Sequence, residues 1–419
     1  MDVNDDLRWI SGGKELLWVS ERDGWRHVYR VSRDGSKSTL ITTDAHDAMS
    51  VESVDEPGGW LYYAASPENA TQLYLYRTRL DGRGKAERVS PANVPGRHLY
   101  DISPHAAWAF HTYSTASLPP TIELIRLPGH AVVRKLVDDS ARHRTVARVL
   151  HNPPEFFKVP VGDGLELDAW MIKPKDFDST RAYPLLMYVY GEPAGQTVVD
   201  GYSAQLLWYQ AIADQGYVVA SVDNRGTPAP RGRAWRKSVY KQIGVLSSRD
   251  QAEAVRALTR ARPYLDPTRV AVWGWSGGGS STLQAMFRYP DVYHVGMAVA
   301  PVPDQLLYDT IYQERYMGLP KLDPEAYNKA SPINFAQGLR GKLLVVHGSG
   351  DDNVHYQGTE RLANRLVELG KSFDFMVYPN RSHCICEGAG TTLHVYSLLT
   401  RYLVDKLPAG PRAQQRNIP

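Results

Sequence analysis

Short apolar runs separated by clusters of turn-forming residues fill roughly the first third of the chain. Two such runs around a turn cluster are typical of a β-hairpin. The paired runs are residues 16–19 with 27–31, residues 60–64 with 72–77, and residues 107–111 with 121–125. The pattern therefore predicts an all-β region.

The predicted hairpins recur at a regular interval. Trp18, Tyr62 and Trp108 lie about 45 residues apart, which is the period of a four-stranded propeller blade. A closed propeller needs four to eight blades. We therefore expect residues 1–145 to form the last blades of a partial β-propeller, in a chain that lacks the N-terminal part of that propeller. An unrelated β-meander is the alternative.

The pattern changes at Phe156, where near-continuous apolar strands begin to alternate with helical segments. Strands that are apolar on both faces are typical of a mostly parallel sheet covered by helices on both sides. The predicted strands are residues 165–172, 185–190, 217–222, 270–273, 295–299, 342–347 and 373–378. We expect an α/β domain over residues 146–419, with ligands bound beyond the C-terminal ends of its strands.

Composition and charge narrow the class of protein. The 419 residues are 43% apolar and 22% charged, with a net charge of +3. These values are typical of a globular protein and give no indication of a nucleic-acid or anionic-membrane partner. No apolar stretch is as long as a membrane-spanning helix, and the acidic start Met1 to Asp6 lacks the basic and apolar regions of a signal peptide.

The two cysteines, Cys384 and Cys386, give little indication of disulfide or metal chemistry. Alternate residues of one strand point to opposite faces, so we expect no bridge between them. A metal site on His383 and the two cysteines lacks a second ligand pair at a suitable spacing. We predict neither a metal nor a cofactor.

Ser276 lies in Gly-Trp-Ser-Gly-Gly, residues 274–278, between an apolar strand and a predicted helix. This is the pattern of a nucleophile elbow, where a sharp strand-to-helix turn exposes the serine hydroxyl. Asp351 and His383 each follow a later strand, in the order Ser, Asp, His that α/β-hydrolases use. The sequence therefore predicts a catalytic triad. Asp352 is the rival for the acid, and we interpret it as a helix cap.

A tetrahedral intermediate also needs donors for its oxyanion. The backbone N–H of Gly277, which follows the serine, is the first candidate. The hydroxyl of Tyr190, at the end of a predicted strand, is the second. A buried core tyrosine is the alternative for Tyr190.

Three motifs in the second half resemble the dipeptidyl peptidase IV-like members of the prolyl oligopeptidase family of serine peptidases. They are residues 274–278, residues 300–320 with Tyr-Asp-Thr-Ile-Tyr-Gln-Glu-Arg-Tyr-Met-Gly-Leu-Pro at the end, and His-Gly-Ser-Gly-Asp-Asp-Asn-Val-His at residues 347–355. Residues 20–29 look like a late blade of the same group. The resemblance covers nearly the whole chain and implies an α/β-hydrolase domain preceded by a propeller.

The resemblance also implies roles for individual residues. Ser276 would be the nucleophile, Asp351 the orienting acid and His383 the general base. Tyr190 would donate to the oxyanion. The substrate-binding residues would be Tyr308 and Tyr312, one helical turn apart as flat walls for a proline, with Val302 and Val354 beside them and Asn353 on a substrate carbonyl. Ordinary helix-face core is the alternative for the two tyrosines. Family members commonly form homodimers.

Departures from the family pattern bear on the activity. Gly277 stands where the family usually has a larger residue. The Glu-Glu pair with which dipeptidyl peptidases hold a substrate's free amine occurs nowhere in the sequence.

We predict a serine peptidase that cleaves after proline or a small residue through an acyl-enzyme, and releases dipeptides if further blades exist. Alternatives are an oligopeptidase, an acylaminoacyl peptidase or an esterase of the same fold, or a non-catalytic peptide-binding fragment.

Overall fold

The computed structural model describes residues 6–414, which form two compact units. Among the described residues, the first unit comprises residues 6–153 together with two later segments, Val199–Leu207 and Ala229–Lys237. The second comprises Pro154–Val198, Trp208–Pro228 and residues 238–414. The change of pattern along the sequence predicts a single boundary after residue 145. The first unit instead continues to Pro153 and takes in two segments that we had assigned to the α/β domain.

The first unit contains three four-stranded sheets, in each of which the strands follow one another in chain order and pair antiparallel. Trp18, Tyr62 and Trp108 each lie in the second strand of their sheet, as the repeat predicts. The strands are β1 (Leu7–Ile10), β2 (Glu15–Ser20), β3 (His27–Ser32), β4 (Ser38–Leu40), β5 (Ala48–Asp55), β6 (Trp60–Ala65), β7 (Tyr74–Arg79), β8 (Glu87–Arg88), β9 (Arg97–Ile102), β10 (Trp108–Ser114), β11 (Thr121–Arg126) and β12 (Ala131–Val137). Helix α1 (Ser140–Val149) follows them.

A buried ion pair joins the segment 229–237 to the first unit. The Arg236 guanidinium donates to both carboxylate oxygens of Asp47, at 2.7 and 2.9 Å. The same carboxylate accepts the backbone N–H groups of Arg26 and Gly232. Asp47 is fully buried, so the pairing offsets the cost of taking its charge out of water.

The second unit is built on one nine-stranded sheet. Its strands are β13 (Glu155–Pro160), β14 (Glu166–Ile172), β15 (Arg181–Tyr188), β16 (Val218–Val222), β17 (Leu265–Trp275), β18 (Val295–Val299), β19 (Lys342–Gly348), β20 (Asp374–Tyr378) and β21 (Arg412–Ala413). The order is β13-β14-β16-β15-β17-β18-β19-β20, with β21 paired to β15. From β16 to β20 every neighbouring pair is parallel, whereas β13, β14 and β21 pair antiparallel.

Helices connect the parallel strands, as the alternating pattern predicted. In chain order they are α2 (Gln205–Ala213), α3 (Gly232–Lys237, in the first unit), α4 (Val245–Ala261), α5 (Gly277–Arg288), α6 (Thr310–Met317), α7 (Pro324–Ala330), α8 (Tyr356–Glu368) and α9 (Thr391–Lys406). Within residues 6–414, none of the helices has the length and apolar character needed to cross a membrane. All residues of β16 and β18 are buried, which explains why these strands read as unbroken apolar runs.

The carboxyl ends of parallel strands meet at one edge of the sheet and carry the predicted site. Tyr190 follows β15, Ser276 follows β17, Asp351 follows β19 and His383 follows β20. We expected Tyr190 to end its strand, but β15 stops at Tyr188. Tyr190 therefore lies in the loop at the sheet edge, with the other three side chains.

Candidate active site

Ser276 occupies a strained turn between β17 and α5. Its backbone has φ 59° and ψ −122°, a conformation that costs free energy for any residue with a Cβ and is typical of functional turns. The Ser276 N–H donates to the carbonyl of Val299 at 2.8 Å, which fixes the turn against the neighbouring strand. The serine is only partly buried, so its hydroxyl remains accessible.

The glycines around the serine allow a close approach between backbone segments. An ideal Cβ on Gly274 would lie 2.4 Å from the carbonyl oxygen of Val189, and one on Gly278 would lie 2.3 Å from the same oxygen. Both distances are shorter than any real contact allows. The turn can therefore pack against the end of β15 only because these two residues lack side chains.

The three predicted triad residues form a continuous hydrogen-bonded chain. His383 Nε2 lies 2.8 Å from Ser276 Oγ, and His383 Nδ1 lies 2.7 Å from Asp351 Oδ2. In a neutral imidazole held this way, Nδ1–H donates to the carboxylate and Nε2 accepts from the serine hydroxyl. This is the arrangement in which a histidine can take the serine proton.

Asp351 is held as a carboxylate by several donors. Its Oδ1 accepts the backbone N–H groups of Asn353 at 3.0 Å and Val354 at 2.8 Å. Burial alone would raise the pKa of Asp351. Hydrogen bonds from His347 and His383 outweigh burial and hold that pKa well below its usual range. The acid of the predicted triad therefore stays charged at neutral pH.

His347 is a fully buried second histidine behind Asp351. Its Nε2 lies 2.8 Å from the carbonyl oxygen of Val354 and 3.2 Å from Asp351 Oδ2. Because a carbonyl only accepts, Nε2 must carry the proton, and Nδ1 then accepts from the Thr359 hydroxyl at 2.8 Å. The sequence analysis assigned His347 no role. Its place at the end of β19 was the signal that could have indicated one.

Both predicted oxyanion donors lie at the elbow: Gly277 is part of it, and an ideal Cβ on Gly278 would lie 3.3 Å from Tyr190 Cα. Gly277 begins α5, so its N–H is one of the donors that a helix leaves without an internal acceptor. The Tyr190 ring packs against Gly195, where an added Cβ would come within 2.9 Å of it. Burial, and then the nearby Glu192 carboxyl, raise the pKa of Tyr190. Its hydroxyl therefore stays protonated and able to donate.

Of the predicted substrate-binding residues, Tyr308 contacts both Tyr312 and Asn353, and the Asn353 N–H also donates to Asp351. The rings of Tyr308 and Tyr312 meet edge to face with centroids 5.5 Å apart. The Tyr308 hydroxyl donates to Asn353 Oδ1 at 3.0 Å, while Val302 and Val354 are buried. The sequence places the two tyrosines one helical turn apart only if their segment is helical. Tyr308 instead precedes α6 in extended backbone, since Asp309 caps that helix by accepting the Tyr312 N–H.

Glu192 was not assigned a role by the sequence analysis, yet it lies within this cluster. It is 5% exposed, and its Oε2 accepts the Tyr312 hydroxyl at 2.9 Å. The sequence signal was a charged residue two positions after Tyr190, in a loop otherwise rich in glycine and proline. That signal could be interpreted only once Glu192 was seen to pack where Gly277 lacks a side chain, and this contact between distant residues leaves no local sequence pattern.

Two further interpretations were wrong. Asp352 caps no helix, because α8 begins at Tyr356 with His355 as a cap that makes no side-chain hydrogen bond. Cys384 and Cys386 form a disulfide. We had expected them on one strand, but they lie in a turn where Ile385 has a positive φ of 43°, so both side chains reach the same side. Both sulfurs are thereby bonded to each other, and both His383 nitrogens are engaged by Ser276 and Asp351.

Comparison with known proteins shows which family models and relatives the chain resembles. The family "Prolyl oligopeptidase family" matches residues 203–409, and "Dipeptidyl peptidase IV (DPP IV) N-terminal region" matches residues 1–120. "Probable dipeptidyl-aminopeptidase B" of Coccidioides posadasii is 33% identical over 389 residues, which are 91% of this chain and 42% of the relative. The protein of the same name from Uncinocarpus reesii is 32% identical over 368 residues, or 87% of this chain and 40% of the relative.

A solved structure is also similar to this chain. The crystal structure of Porphyromonas gingivalis dipeptidyl peptidase 4 superimposes with a TM-score of 0.89 at 37% identity, covering 96% of this chain and 56% of that one. This chain thus spans less than half the length of the curated relatives described above. The likeness covers both the all-β region and the α/β unit.

Proposed function

Given that the chain belongs to the prolyl oligopeptidase family, we propose that it is a serine peptidase that releases dipeptides from the N-terminus of peptides. The preferred residue before the scissile bond would be proline or a small residue. The observation that supports this most directly is the hydrogen-bonded chain from Ser276 through His383 to Asp351.

The proposed reaction follows from the donors and acceptors around the serine. As Ser276 Oγ attacks the substrate carbonyl carbon, His383 Nε2 takes the hydroxyl proton, and Asp351 stabilises the imidazolium that forms. The negative charge on the carbonyl oxygen would be met by the N–H of Gly277 and the hydroxyl of Tyr190. His383 then protonates the departing amine, which leaves an acyl group on the serine. Water, deprotonated by the same histidine, releases that acyl group and restores the serine.

The specificity part of the proposal rests on the aromatic cluster. Tyr308 and Tyr312 present ring surfaces beside the triad, and Val302 and Val354 add apolar area. Such a surface buries a proline ring without requiring a hydrogen bond from its missing N–H. Asn353 lies next to Tyr308 and could donate through its amide nitrogen to a substrate carbonyl.

Covalent labelling with a fluorophosphonate probe tests the reaction. We expect the wild-type protein to be labelled, Ser276→Ala to be unlabelled, and Ser117→Ala, which changes an exposed serine of the first unit, to be labelled as well as wild type. Absence of labelling in folded wild-type protein would contradict the peptidase proposal and favour a peptide-binding protein.

A pair of chromogenic Xaa-Pro substrates tests dipeptide release. One carries a free amine and the other a blocked amine, with the same scissile bond. Release of dipeptides predicts faster hydrolysis of the free-amine substrate. Preference for the blocked substrate would instead indicate an oligopeptidase or an acylaminoacyl peptidase.

A further inference from the structure

Glu192 lies in the loop after β15, and its side chain fills the space beside Gly277. An ideal Cβ on Gly277 would lie 2.9 Å from Glu192 Cδ and 3.0 Å from its Oε2. The carboxyl group thus occupies the volume that a side chain at position 277 would need. Because Gly277 directly follows Ser276, this carboxyl packs against the residue next to the proposed nucleophile.

The groups around this carboxyl bring no positive charge. Its Oε2 accepts the Tyr312 hydroxyl at 2.9 Å, and the titratable side chains that interact with it are Tyr190, Tyr308 and Tyr312. Within residues 6–414, no lysine, arginine or histidine pairs with Glu192. Burial raises its pKa to about 7, because the hydrogen bond from Tyr312 only partly offsets the loss of water.

A buried carboxylate without a cation is costly to maintain. A positively charged group that reaches this carboxylate would restore the lost stabilisation through an ion pair and charge-assisted hydrogen bonds. The electron-rich faces of Tyr308 and Tyr312 would add a cation–π attraction for the same group. The carboxylate and the neighbouring tyrosine rings therefore combine an anionic group with aromatic surface, which suits a long substrate side chain that ends in a cation.

We propose that Glu192 determines specificity by receiving the cationic side chain, of lysine or arginine, on the substrate residue that precedes the scissile bond. This inference rests on the proposed function and extends its substrate class from proline and small residues to lysine and arginine. Proline offers neither a charge nor a donor to the carboxylate, so it is accepted mainly while Glu192 is protonated. As Glu192 ionises, substrates with lysine or arginine before the scissile bond are hydrolysed faster relative to those with proline.

The test compares three free-amine p-nitroanilides, Ala-Lys, Ala-norleucine and Ala-Pro, on wild-type protein and on Glu192→Gln. Norleucine has the length of lysine without its charge, and the amide introduced by Glu192→Gln can still accept the Tyr312 hydroxyl. At pH 8 we expect the wild type to hydrolyse Ala-Lys with a kcat/KM at least about tenfold above Ala-norleucine. In Glu192→Gln this ratio falls to about one.

The pH dependence gives a second readout on the same substrates. In the wild type the Ala-Lys to Ala-Pro ratio should rise between pH 6 and pH 8, and in Glu192→Gln it should stay flat. Glu325→Gln is the matched control, since Glu325 lies exposed on α7 in the same unit. It should keep the wild-type ratios.

The inference is overturned if the Ala-Lys to Ala-norleucine ratio is the same in wild type and Glu192→Gln. It is also overturned if Glu192→Gln slows all three free-amine substrates equally, because the carboxylate would then bind the substrate's α-amine. Fluorophosphonate labelling reports separately on the proposed reaction. If Ser276 proves unreactive, the inference can still be tested by binding. Calorimetry then measures the affinities of the dipeptides Ala-Lys and Ala-norleucine for the wild type and for Glu192→Gln, and we expect the wild type alone to prefer Ala-Lys. Equal affinities in the wild type refute the inference.

Discussion

The indole Nε1–H of Trp275 donates a hydrogen bond of 2.9 Å to the backbone carbonyl of His383. The residue before the nucleophile thus holds the loop that carries its proposed base. Loop residues contribute little rigidity of their own, and proton transfer between serine and histidine depends on their separation. Trp275, which belongs to the elbow, thus helps to hold the backbone of His383 in place.

Replacing Trp275 by Phe should therefore slow the reaction without changing substrate affinity. Phe keeps an apolar ring but lacks the donor, so His383 would lose its anchor while all three triad side chains remain. We expect kcat to fall about tenfold, with KM nearly unchanged. Steady-state kinetics on a chromogenic dipeptide substrate measures this. An unchanged kcat would show that the loop is held by other contacts.

Gly278→Ala should destabilise the second unit. The new Cβ would lie 2.3 Å from the carbonyl oxygen of Val189, so the backbone of the elbow or of the strand must shift. We expect a loss of about 2 kcal/mol, visible as a lower midpoint in thermal unfolding. Gly129→Ala is the control because no atom lies within 4 Å of its added Cβ. A normal midpoint for Gly278→Ala would show that the elbow is looser than described.

Arg236→Met should destabilise the first unit by about 3 kcal/mol, because it leaves the buried carboxylate of Asp47 without its cation. Burial alone would raise the pKa of Asp47, and Arg236 outweighs it so that the pKa is lowered. Without Arg236 the pKa of Asp47 rises above its ordinary value of 3.8. The variant then loses stability as the pH rises from about 4 towards neutral, while the wild type does not.

Urea unfolding of both proteins at pH 4 and pH 7 measures this difference. Lys329→Met is the control, because Lys329 pairs with Glu325 in a bridge whose side chains are 63% and 74% exposed. It should change stability by less than about 0.5 kcal/mol at either pH. Equal losses in the two variants would mean that the buried pair contributes no more than a surface pair.

At alkaline pH, the Glu192→Gln variant should be more stable to unfolding than the wild type. Burial raises the pKa of Glu192 from 4.5 to about 7, so the folded state binds more protons than the unfolded state between these values. Wild-type stability therefore falls as the pH rises through this range, by up to about 3 kcal/mol. The variant lacks that decline. Denaturant unfolding at pH 5 and pH 8 checks it, with Glu325→Gln as a control that should track the wild type.

Two features could be predicted from the sequence: the alternation of strands and helices, and the order of the proposed triad residues along the chain. The strand and helix rhythm from Phe156 onward corresponds to the parallel sheet, because strands buried on both faces must be apolar throughout. The order of Ser276, Asp351 and His383 could be read because each residue follows a strand whose end meets the others at one edge. Their hydrogen bonds are what the structure adds.

What the sequence missed depends on contacts between distant segments. Glu192 became meaningful only when Gly277 was seen to leave room for it. The disulfide required knowing that Cys384 and Cys386 lie in a turn rather than a strand. The assignment of residues 229–237 to the first unit required Asp47, which is far away in the sequence and whose charge no local pattern pairs with Arg236.

The location of Asp47 and Arg236 has a practical consequence for anyone who wishes to study the two units apart. A single cut near Pro153 would not yield an intact α/β unit, since the piece that starts there would keep residues 229–237 but not the carboxylate that neutralises Arg236. An isolated version would need that stretch redesigned with neutral side chains. Limited proteolysis should accordingly fail to release a stably folded C-terminal fragment.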